Sequence, residues 1–334
     1  MSPQTPSERG AALLSVLLLV AVMAVIAAVM LERLNLATRL AANSQAMAQA
    51  RLHTVSAESL VMARLRSLVA LNPQRTADPQ GLLGREFALP LSGARAGNAS
   101  VVARIEDAGN CFNLNSLVEG QEGNFVLRPT GLAQLRGLMS GLAIPEDEAI
   151  PLTDAIADWI DSDDIALPNG AEDAFYQGLP APYRTASRLL IDPGELRAIR
   201  GMTPTYYIRL RPWLCALPGA ELSPININTL RPDQARLIAM LSPETIDVPR
   251  AQSIIAQRPA AGVASAADFL RPLAAGGQTL GPEPLGQLKV NSRWFRIELA
   301  VSVDSIRLEE EALVDVGVDP PRVVSRSWGD RESR

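Results

Sequence analysis

The stretch Ala11–Leu31 reads AALLSVLLLVAVMAVIAAVML and contains no charged residue over 21 positions. As an α-helix rising about 1.5 Å per residue it would be about 31 Å long, which matches a hydrocarbon core of about 30 Å. A cleaved secretory signal would have a shorter apolar region with an A-x-A-like site at its far end, and neither is evident here. The block therefore predicts one membrane-spanning helix.

The residues on either side of this block are also informative. In front of it lies a short polar leader, residues 1–10, which ends in Glu8-Arg9-Gly10. Behind it, apolar residues from Leu34 to Leu60 recur at spacings of three, four or seven, with polar residues between them. No Gly or Pro interrupts this pattern before Asn72-Pro73. We therefore expect one helix that begins in the bilayer and continues as an amphipathic stalk over residues 32–71.

Two parts of the remaining sequence have the alternation of β-strands. Ser100–Asp107 predicts one strand, and Trp294–Asp304 alternates apolar and polar residues as a half-buried antiparallel strand does. A second strand, Arg307–Val316, is expected to return beside it. The predicted fold class is α+β, with a long helix packed on an antiparallel sheet. The β region takes in residues 72–111 and 291–317, and residues 318–334 are expected to be a C-terminal tail.

Residues 112–290 form a large insertion that contains a short internal repeat. Phe112-Asn-Leu-Asn-Ser-Leu117 and Ile225-Asn-Ile-Asn-Thr-Leu230 share one frame, and both precede helical stretches. The pattern suits a strand end that passes into a helix N-cap, and it predicts two similar helical lobes. The second copy also resembles the entry to a helix-hairpin-helix DNA-binding unit. Its linker, Ser242–Pro249, has no Gly and carries two acids, which disfavours phosphate binding. A membrane-anchored DNA receptor remains an alternative.

Composition argues against several classes of enzyme. The single histidine, His53, lies in the helical stretch beside the membrane segment, where a Ser-His-Asp or Cys-His hydrolase would not place it. A paired-carboxylate glycosidase needs an aromatic-rich cleft, and the chain has four Trp and four Tyr. The net charge of −5 provides no basic surface for nucleic acid. A non-enzymatic protein that binds no nucleic acid is expected.

The densest group of acids runs from Asp154 to Asp164 and continues at Glu172-Asp173. Helical spacing places Asp154, Asp158 and Asp161 on one face, close to the helix end required before Pro168. Carboxylates there oppose the helix dipole, and clustering them is unfavourable without a cation. Oxygen ligands without His or Cys indicate Ca²⁺, although EF-hand spacing does not fit. A solvated acidic loop is the alternative. The candidate ligands are Asp161, Asp163, Glu172 and Asp173, with Asp164 as a further candidate.

The two cysteines, Cys111 and Cys215, lie far apart and have no CxxC spacing. Each lies shortly ahead of one of the two Asn-x-Asn frames, so both are expected near the root of the insertion. An oxidising compartment beyond the membrane would favour a disulfide between them. A Cα separation cannot be read from sequence, so two free thiols remain the alternative.

These features together resemble a known family. A short leader ending in Gly10, a charge-free segment and an amphipathic continuation resemble the class III signal peptides of type IV pilins and pseudopilins. Most pilins carry Glu at the fifth mature position, where this chain has Ser15. The K-type minor pseudopilins of type II secretion lack that acid. The strings Asp158-Trp-Ile-Asp-Ser-Asp-Asp164 and Glu195-Leu-Arg-Ala-Ile-Arg-Gly201 resemble the same family.

The resemblance implies a structural component anchored once in the bacterial inner membrane, with its globular part in the periplasm. It implies cleavage by prepilin peptidase after Gly10, methylation of Ala11, and a calcium-binding helical domain. The expected partners are the I-, J- and H-type minor pseudopilins, prepilin peptidase and inner-membrane lipid. The expected role is to cap the tip of the pseudopilus and help to initiate its assembly.

Overall fold

The computed structural model describes residues 6–72, 74–90, 99–277 and 279–329, with side chains from residue 13 onward. Its helices are α1 Pro6–Ala70, α2 Pro129–Gly141, α3 Glu146–Ile160, α4 Asp173–Gln177, α5 Pro204–Leu210, α6 Arg236–Ala239, α7 Val248–Ala256, α8 Ala266–Ala274 and α9 Pro282–Gln287. Its strands are β1 Glu86–Ala88, β2 Ala99–Asp107, β3 Phe112–Asn113, β4 Val118–Gln121, β5 Asn124–Leu127, β6 Leu214–Cys215, β7 Ile225–Asn226, β8 Leu288–Lys289, β9 Trp294–Val303, β10 Ile306–Asp315 and β11 Arg322–Trp328.

Helix α1 is continuous over 65 residues and already begins inside the expected leader. It is the one helix of the described residues that is long and apolar enough to cross a membrane. Every side chain from residue 13 to residue 45 is exposed, so the rest of the chain covers none of this apolar surface. Since soluble monomers rarely expose so large a patch, a bilayer or other subunits must cover it.

The second half of α1 packs on a five-stranded antiparallel sheet with the order β1-β2-β9-β10-β11. Ala50, Ala57, Val61 and Leu65 recur at helical spacing and are buried against it. The strands supply the other side of this core from alternate positions of β2, β9 and β10. The predicted α+β fold class is confirmed.

The sheet differs from the sequence-based expectation at its last strand. Strands β2, β9 and β10 lie within one or two residues of the expected strands. Residues 322–328, expected in a C-terminal tail, instead form β11 beside β10. This edge strand is paired on one side, and all but one of its residues are exposed. It therefore lacks the apolar alternation by which a half-buried strand is recognised. Residues 330–334 of the expected tail lie outside the described residues.

Each Asn-x-Asn frame opens one lobe of the insertion. Strand β3 pairs in parallel with β6, which ends the first lobe, and β7 pairs in parallel with β8, which ends the second. The apolar side chains of both lobes form one core that is separate from the core under α1. The repeat in the sequence thus corresponds to two lobes, each of which begins and ends with strands that pair in parallel.

The second asparagine of each frame makes the same set of hydrogen bonds. Asn115 accepts from the backbone N–H of Leu190 at 2.7 Å and donates to the carbonyl oxygens of Leu190 and Leu217. Asn228 accepts from the N–H of Val263 at 2.8 Å and donates to the carbonyl oxygens of Val263 and Val290. Each buried amide thereby joins its frame to two distant parts of the same lobe.

A buried polar network joins the second lobe to the sheet. At the end of β2, Asp107 accepts hydrogen bonds from the hydroxyl groups of Thr229 and Ser292. Asn226 donates to Ser292, and its backbone N–H donates to Asn110. Burial raises the pKa of Asp107, although its hydrogen-bond donors oppose that shift. Because these partners come from the sheet and from the second lobe, the network fixes where that lobe begins.

The first lobe is tied to the sheet by its cysteines. The structure joins Cys111 and Cys215 in a disulfide, with their Cα atoms 5.8 Å apart. Cys111 lies just after β2, and Cys215 is the last residue of β6. The bond therefore fastens both ends of the first lobe at one point. Around it, Ala108, Leu217 and Trp294 form a small apolar cluster between the two larger cores.

We predict that the purified protein contains no free thiol and that its intact mass under non-reducing conditions is two hydrogens below the reduced mass. Reduction should lower the free energy of unfolding by about 4 kcal/mol, because the bond closes a loop of 104 residues. Urea unfolding with and without reductant measures this difference. A C111S/C215S double variant should not respond to reductant. Two free thiols in the native protein would contradict the prediction.

Candidate metal centre

The last turn of α3 supplies two carboxylates. Leu152, Ile156 and Ile160 bury one side of this helix in the core of the lobes. Asp158 and Asp161 lie three residues apart, so they share a neighbouring face. The helix ends at Ile160, and the backbone N–H of the cap residue Asp161 still donates to the carbonyl oxygen of Ala157. The two acids therefore lie at the negative end of the helix dipole.

The following loop folds back over this turn. The backbone N–H of Leu167 donates to both carboxylate oxygens of Asp158, at 3.2 and 3.1 Å. A Cβ atom at Gly170 would lie 1.8 Å from Asp158 Oδ2, so no side chain fits at this position. Arg200 holds the other side of the loop by donating to the carbonyl oxygen of Gly170 at 2.8 Å. The loop thereby brings Glu172, which precedes α4, back to the end of α3.

Asp158, Asp161 and Glu172 form a buried acidic cluster. Each offers one carboxylate oxygen within 4.8 Å of those of the other two. The three residues are 0%, 2% and 5% exposed. Asp161 Oδ1 and both carboxylate oxygens of Glu172 are buried and have no hydrogen-bond partner among the residues that the structure describes. Leaving such atoms unpaired costs about 1–3 kcal/mol each, and more when they are charged. Three convergent acids, two of which have oxygens without a described partner, fit a hard cation such as Ca²⁺.

The electrostatics of the cluster also favour a bound cation. Burial raises the pKa of Asp158 to about 6, that of Glu172 to about 7 and that of Asp161 to about 8. Repulsion from neighbouring carboxylates adds to each shift. Without a cation, the cluster therefore retains protons near neutral pH. A bound divalent ion would remove both the repulsion and the unpaired oxygens.

Aromatic side chains shield one side of this region. Tyr176 is fully buried on α4, and its ring lies 5.2 Å from that of Trp159 in an edge-to-face contact. The Tyr176 hydroxyl accepts a hydrogen bond from the backbone N–H of Arg200. Burial raises the pKa of this phenol to about 12. Tyr176 is thus a neutral structural neighbour of the cluster.

The structure brings only part of the predicted ligand set together. Asp161 and Glu172 belong to the cluster. Asp163 and Asp164 lie exposed at the start of the loop, where their charges still raise the pKa values of the clustered acids. Asp173 is used differently, since one of its oxygens accepts from the backbone and hydroxyl of Thr185 and the other from Gln177. The structure therefore does not place Asp173 in the cluster.

Both lobes match family models described as "Type II secretion system (T2SS), protein K". One model matches residues 110–219 and another matches residues 225–291. The curated Type II secretion system protein K of Aeromonas hydrophila is 34% identical over 330 residues, covering 97% of this chain and 98% of the relative. The chain belongs to the type II secretion system protein K family. The Pseudomonas aeruginosa member is 32% identical, covering 96% of this chain and 93% of the relative.

A solved structure extends the likeness to three dimensions. The chain resembles the GspK subunit in the GspK-GspI-GspJ complex of the type 2 secretion system of enterotoxigenic Escherichia coli, with a TM-score of 0.73 and 28% identity. The match covers 86% of this chain and 99% of the solved one. As a K-family member, the protein is a minor pseudopilin of the type II secretion system.

The two matched ranges coincide with the two lobes closed by Asn115 and Asn228. In the second lobe, the string that resembles a helix-hairpin-helix entry opens this family domain. None of the comparisons supports the alternative of a DNA-binding receptor. Arg258, which could have served a phosphate, donates instead to the carbonyl oxygens of Ile227 and Leu230. It therefore has a structural role at the entry to this lobe.

Sequence reasoning missed Asp158 as a candidate ligand although its signal was present. Helical spacing places Asp154, Asp158 and Asp161 on one face. Apart from Asp161, however, the predicted ligands were all taken from the residues that follow the helix. The structure separates Asp154 from the other two, because Arg136 pairs with it at 2.6 Å and Asn169 donates to its second oxygen. Asp158 has no cationic partner among the described residues. The buried pair on the last turn of α3 was the informative part of the pattern.

Proposed function

We propose that this K-family protein caps the tip of the pseudopilus, with α1 anchored in the inner membrane and the globular body in the periplasm. The observation that carries the proposal is Ser15 at the fifth mature position. In filaments of this kind, a Glu at that position is thought to pair with the N-terminal ammonium of a neighbouring subunit. A buried carboxylate is unfavourable without such a partner. A subunit with no neighbour ahead of it needs no acid there.

The size of the insertion supports the same position. The two lobes over residues 112–290 add a separate core to the small body formed by α1 and the sheet. In a helical stack, each copy would have to fit these lobes beside the heads of its neighbours. A first subunit has open space ahead of it. The bulk of the head thus favours one copy at the end of the filament.

The proposed partners are the I-, J- and H-type minor pseudopilins. The related GspK was solved in a complex with GspI and GspJ. In this chain, the exposed surface of α1 between residues 13 and 45 is long enough to contact lipid and neighbouring helices. We place the partner contacts on this helix and on the body beside it. The role is structural and non-enzymatic.

We further propose that prepilin peptidase cleaves after Gly10 and that the new N-terminus, Ala11, is methylated. The polar leader ends immediately before the charge-free segment, as this processing requires. Removal of residues 1–10 would leave a helix that is apolar from its first residue.

The acidic cluster is proposed to bind one Ca²⁺ through Asp158, Asp161 and Glu172, with Asp163 and Asp164 of the adjoining loop as further candidate ligands. The support is the set of buried oxygens that have no other partner. The ion would neutralise the cluster and join the end of α3 to the start of α4. Its role is therefore to stabilise the first lobe.

We expect calcium to raise the free energy of unfolding of the full-length protein, by about 2.7 kcal/mol at a free concentration a hundred times the dissociation constant. E172Q and D161N should lose most of this increase, since each removes a charged ligand. Urea unfolding in calcium and in EDTA measures it.

Two further variants define the ligand set. D147N, at the other end of α3, removes an exposed charge and should retain the full calcium effect. D173N should also retain it, because the structure assigns Asp173 to Thr185 and Gln177. Identical unfolding curves in calcium and in EDTA for the wild type would refute the calcium proposal.

Processing predicts a mature chain that begins with N-methylated Ala11. Intact mass and N-terminal sequencing of protein from cells with active prepilin peptidase test this. A G10V variant should keep its leader, and an S15A variant, altered beyond the cleavage point, should be processed normally. Recovery of a wild-type chain that still begins at Met1 would contradict the prediction.

Capping predicts about one copy of the protein per isolated pseudopilus, at one end. Immunogold labelling of sheared filaments counts and locates the copies. S15E should incorporate poorly at the tip, because its buried carboxylate has no ammonium to meet, whereas S15A should behave as the wild type. Labelling at regular intervals along the filament would refute the capping role.

The steric argument has its own test. The backbone N–H of Ala108 donates to the carbonyl oxygen of Trp294 at 2.9 Å, so the two ends of the insertion meet at the sheet. A short turn can therefore replace residues 112–290, with Cys111→Ser to remove the unpaired thiol. Combined with S15E, this deletion should allow incorporation along the shaft. Strict confinement of this combined variant to one end would show that neither feature determines position.

A further inference from the structure

One acid interrupts the apolar row that β10 presents to α1. Ile306, Leu308, Ala312 and Val314 alternate along this face, and Glu310 occupies the position between them. Across the sheet, Glu310 lies opposite Leu299 of β9, which belongs to the core. Glu310 is 4% exposed, although carboxylates are rarely buried without a partner. Its position requires a compensating group.

The compensating groups come from the membrane helix and from the edge strand. Arg326 of β11 forms two hydrogen bonds with the carboxylate of Glu58 on α1, both at 2.8 Å. Its Nε atom also lies 3.5 Å from Glu310 Oε1, an ion-pair distance at which no hydrogen bond forms. One guanidinium therefore serves two carboxylates. These three residues, named here the Glu58–Glu310–Arg326 clasp, connect α1, β10 and β11.

The clasp is electrostatically self-contained. Because Arg326 is shared by Glu58 and Glu310, the two carboxyl groups are close enough to shift each other's pKa values, and the one guanidinium can balance the charge of only one of them. The core on this side of the sheet is apolar and includes Ala57 and Val61 of α1 and Leu299 and Val301 of β9. Across from Glu310, β11 places Trp328. The charged groups with the largest effect on the pKa values of these two acids are the other members of the clasp.

The pKa values of the two acids are shifted in opposite directions. Hydrogen bonding to Arg326 lowers the pKa of Glu58. Burial, followed by the neighbouring Glu58, raises the pKa of Glu310 to about 7. An acid with a raised pKa binds its proton more tightly in the folded protein than in the unfolded chain. Its contribution to stability is therefore present at low pH and is lost as pH rises through the folded-state pKa.

Val323 packs at the edge of the core under α1, but the other side chains of β11 lie largely outside that core. Six of its seven residues are exposed, and its pairing with β10 shifts register between Leu313 and Val314. Beyond the backbone ladder, the ion pair between Arg326 and Glu58 links this strand to α1. The state of the clasp therefore bears directly on whether the edge strand stays in place.

We propose that the Glu58–Glu310–Arg326 clasp is a proton-sensitive fastening that holds the edge strand β11 to the membrane helix. With one proton between the two acids, a single guanidinium balances a single negative charge, and the clasp is closed. When that proton is lost, two buried carboxylates compete for one Arg326. The resulting repulsion loosens β11 first, because no other described strand pairs with its outer edge.

The test compares E310Q with the wild type as full-length protein in detergent micelles with saturating calcium. Gln keeps the size of Glu and can donate the hydrogen bond, but it cannot ionise. Between pH 5 and pH 8, the wild-type unfolding constant should rise more than that of E310Q, by a factor of about 10 to 300. Hydrogen exchange of residues 322–328, corrected for intrinsic rates, should show the same difference locally.

E309Q is the matched control. Glu309 is the adjacent residue on β10, faces the opposite side of the sheet and pairs with Arg307. Removing its charge should leave the pH profile of the wild type unchanged. Parallel profiles for the wild type and E310Q would overturn the proposal.

A direct titration covers the case in which E310Q does not fold. Isotope-edited infrared spectroscopy of the wild type reports the protonated carboxyl groups. A buried carboxyl band that disappears with a midpoint above pH 6, and that is unaffected by E309Q, supports the clasp. The E58Q variant should lower that midpoint, because it removes the repelling charge. Complete ionisation below pH 5 would refute the proposal.

Discussion

Two buried asparagine side chains, Asn115 and Asn228, impose the constraint on which the globular part of this protein depends. Each amide satisfies its donor and its acceptor with backbone groups far away in the sequence, up to 102 residues for Asn115. No apolar residue can replace such an amide without leaving buried backbone groups unpaired. The lobes therefore close around hydrogen bonds of fixed direction as well as around an apolar core. In the first lobe, this closure sets the positions of α3 and α4, and so determines which acids meet.

The lobes and the membrane-anchored body are separate cores with a narrow junction. One core lies inside the lobes, another lies between α1 and the sheet, and a small cluster around Cys111 and Cys215 connects them. Asp107 adds a polar attachment for the second lobe. Because few apolar contacts cross the junction, covalent and hydrogen-bonded links must hold the orientation of the head. This explains why an acid and several hydroxyl and amide groups are buried there.

Periodicity in the sequence was sufficient to predict the helices and strands that bury a continuous apolar face. Three local patterns carried this information: the apolar block of α1, the alternation from Trp294 and the repeated Asn-x-Asn frames. Strand β11 has no buried face and depends on its pairing with β10, so its sequence reads as a tail. Asp158 becomes a candidate ligand only when the loop at Gly170 returns to it. The clasp is harder still to predict from the sequence, since Glu58 and Arg326 are 268 residues apart and neither has an unusual local sequence.

The two groups of buried, mutually repelling acids lie in different parts of the molecule and respond to different conditions. The acidic cluster is in the first lobe, where a cation would relieve it, whereas the clasp lies against α1, where a proton relieves it. Removal of the cation would therefore weaken the head without loosening the sheet from the helix. Loss of the proton would act on the edge of the sheet without opening the lobes. Since the junction between the cores is small, neither change needs to propagate across it. The anchored body and the bulky head can thus vary in stability independently, which agrees with the proposed position at the tip of the filament.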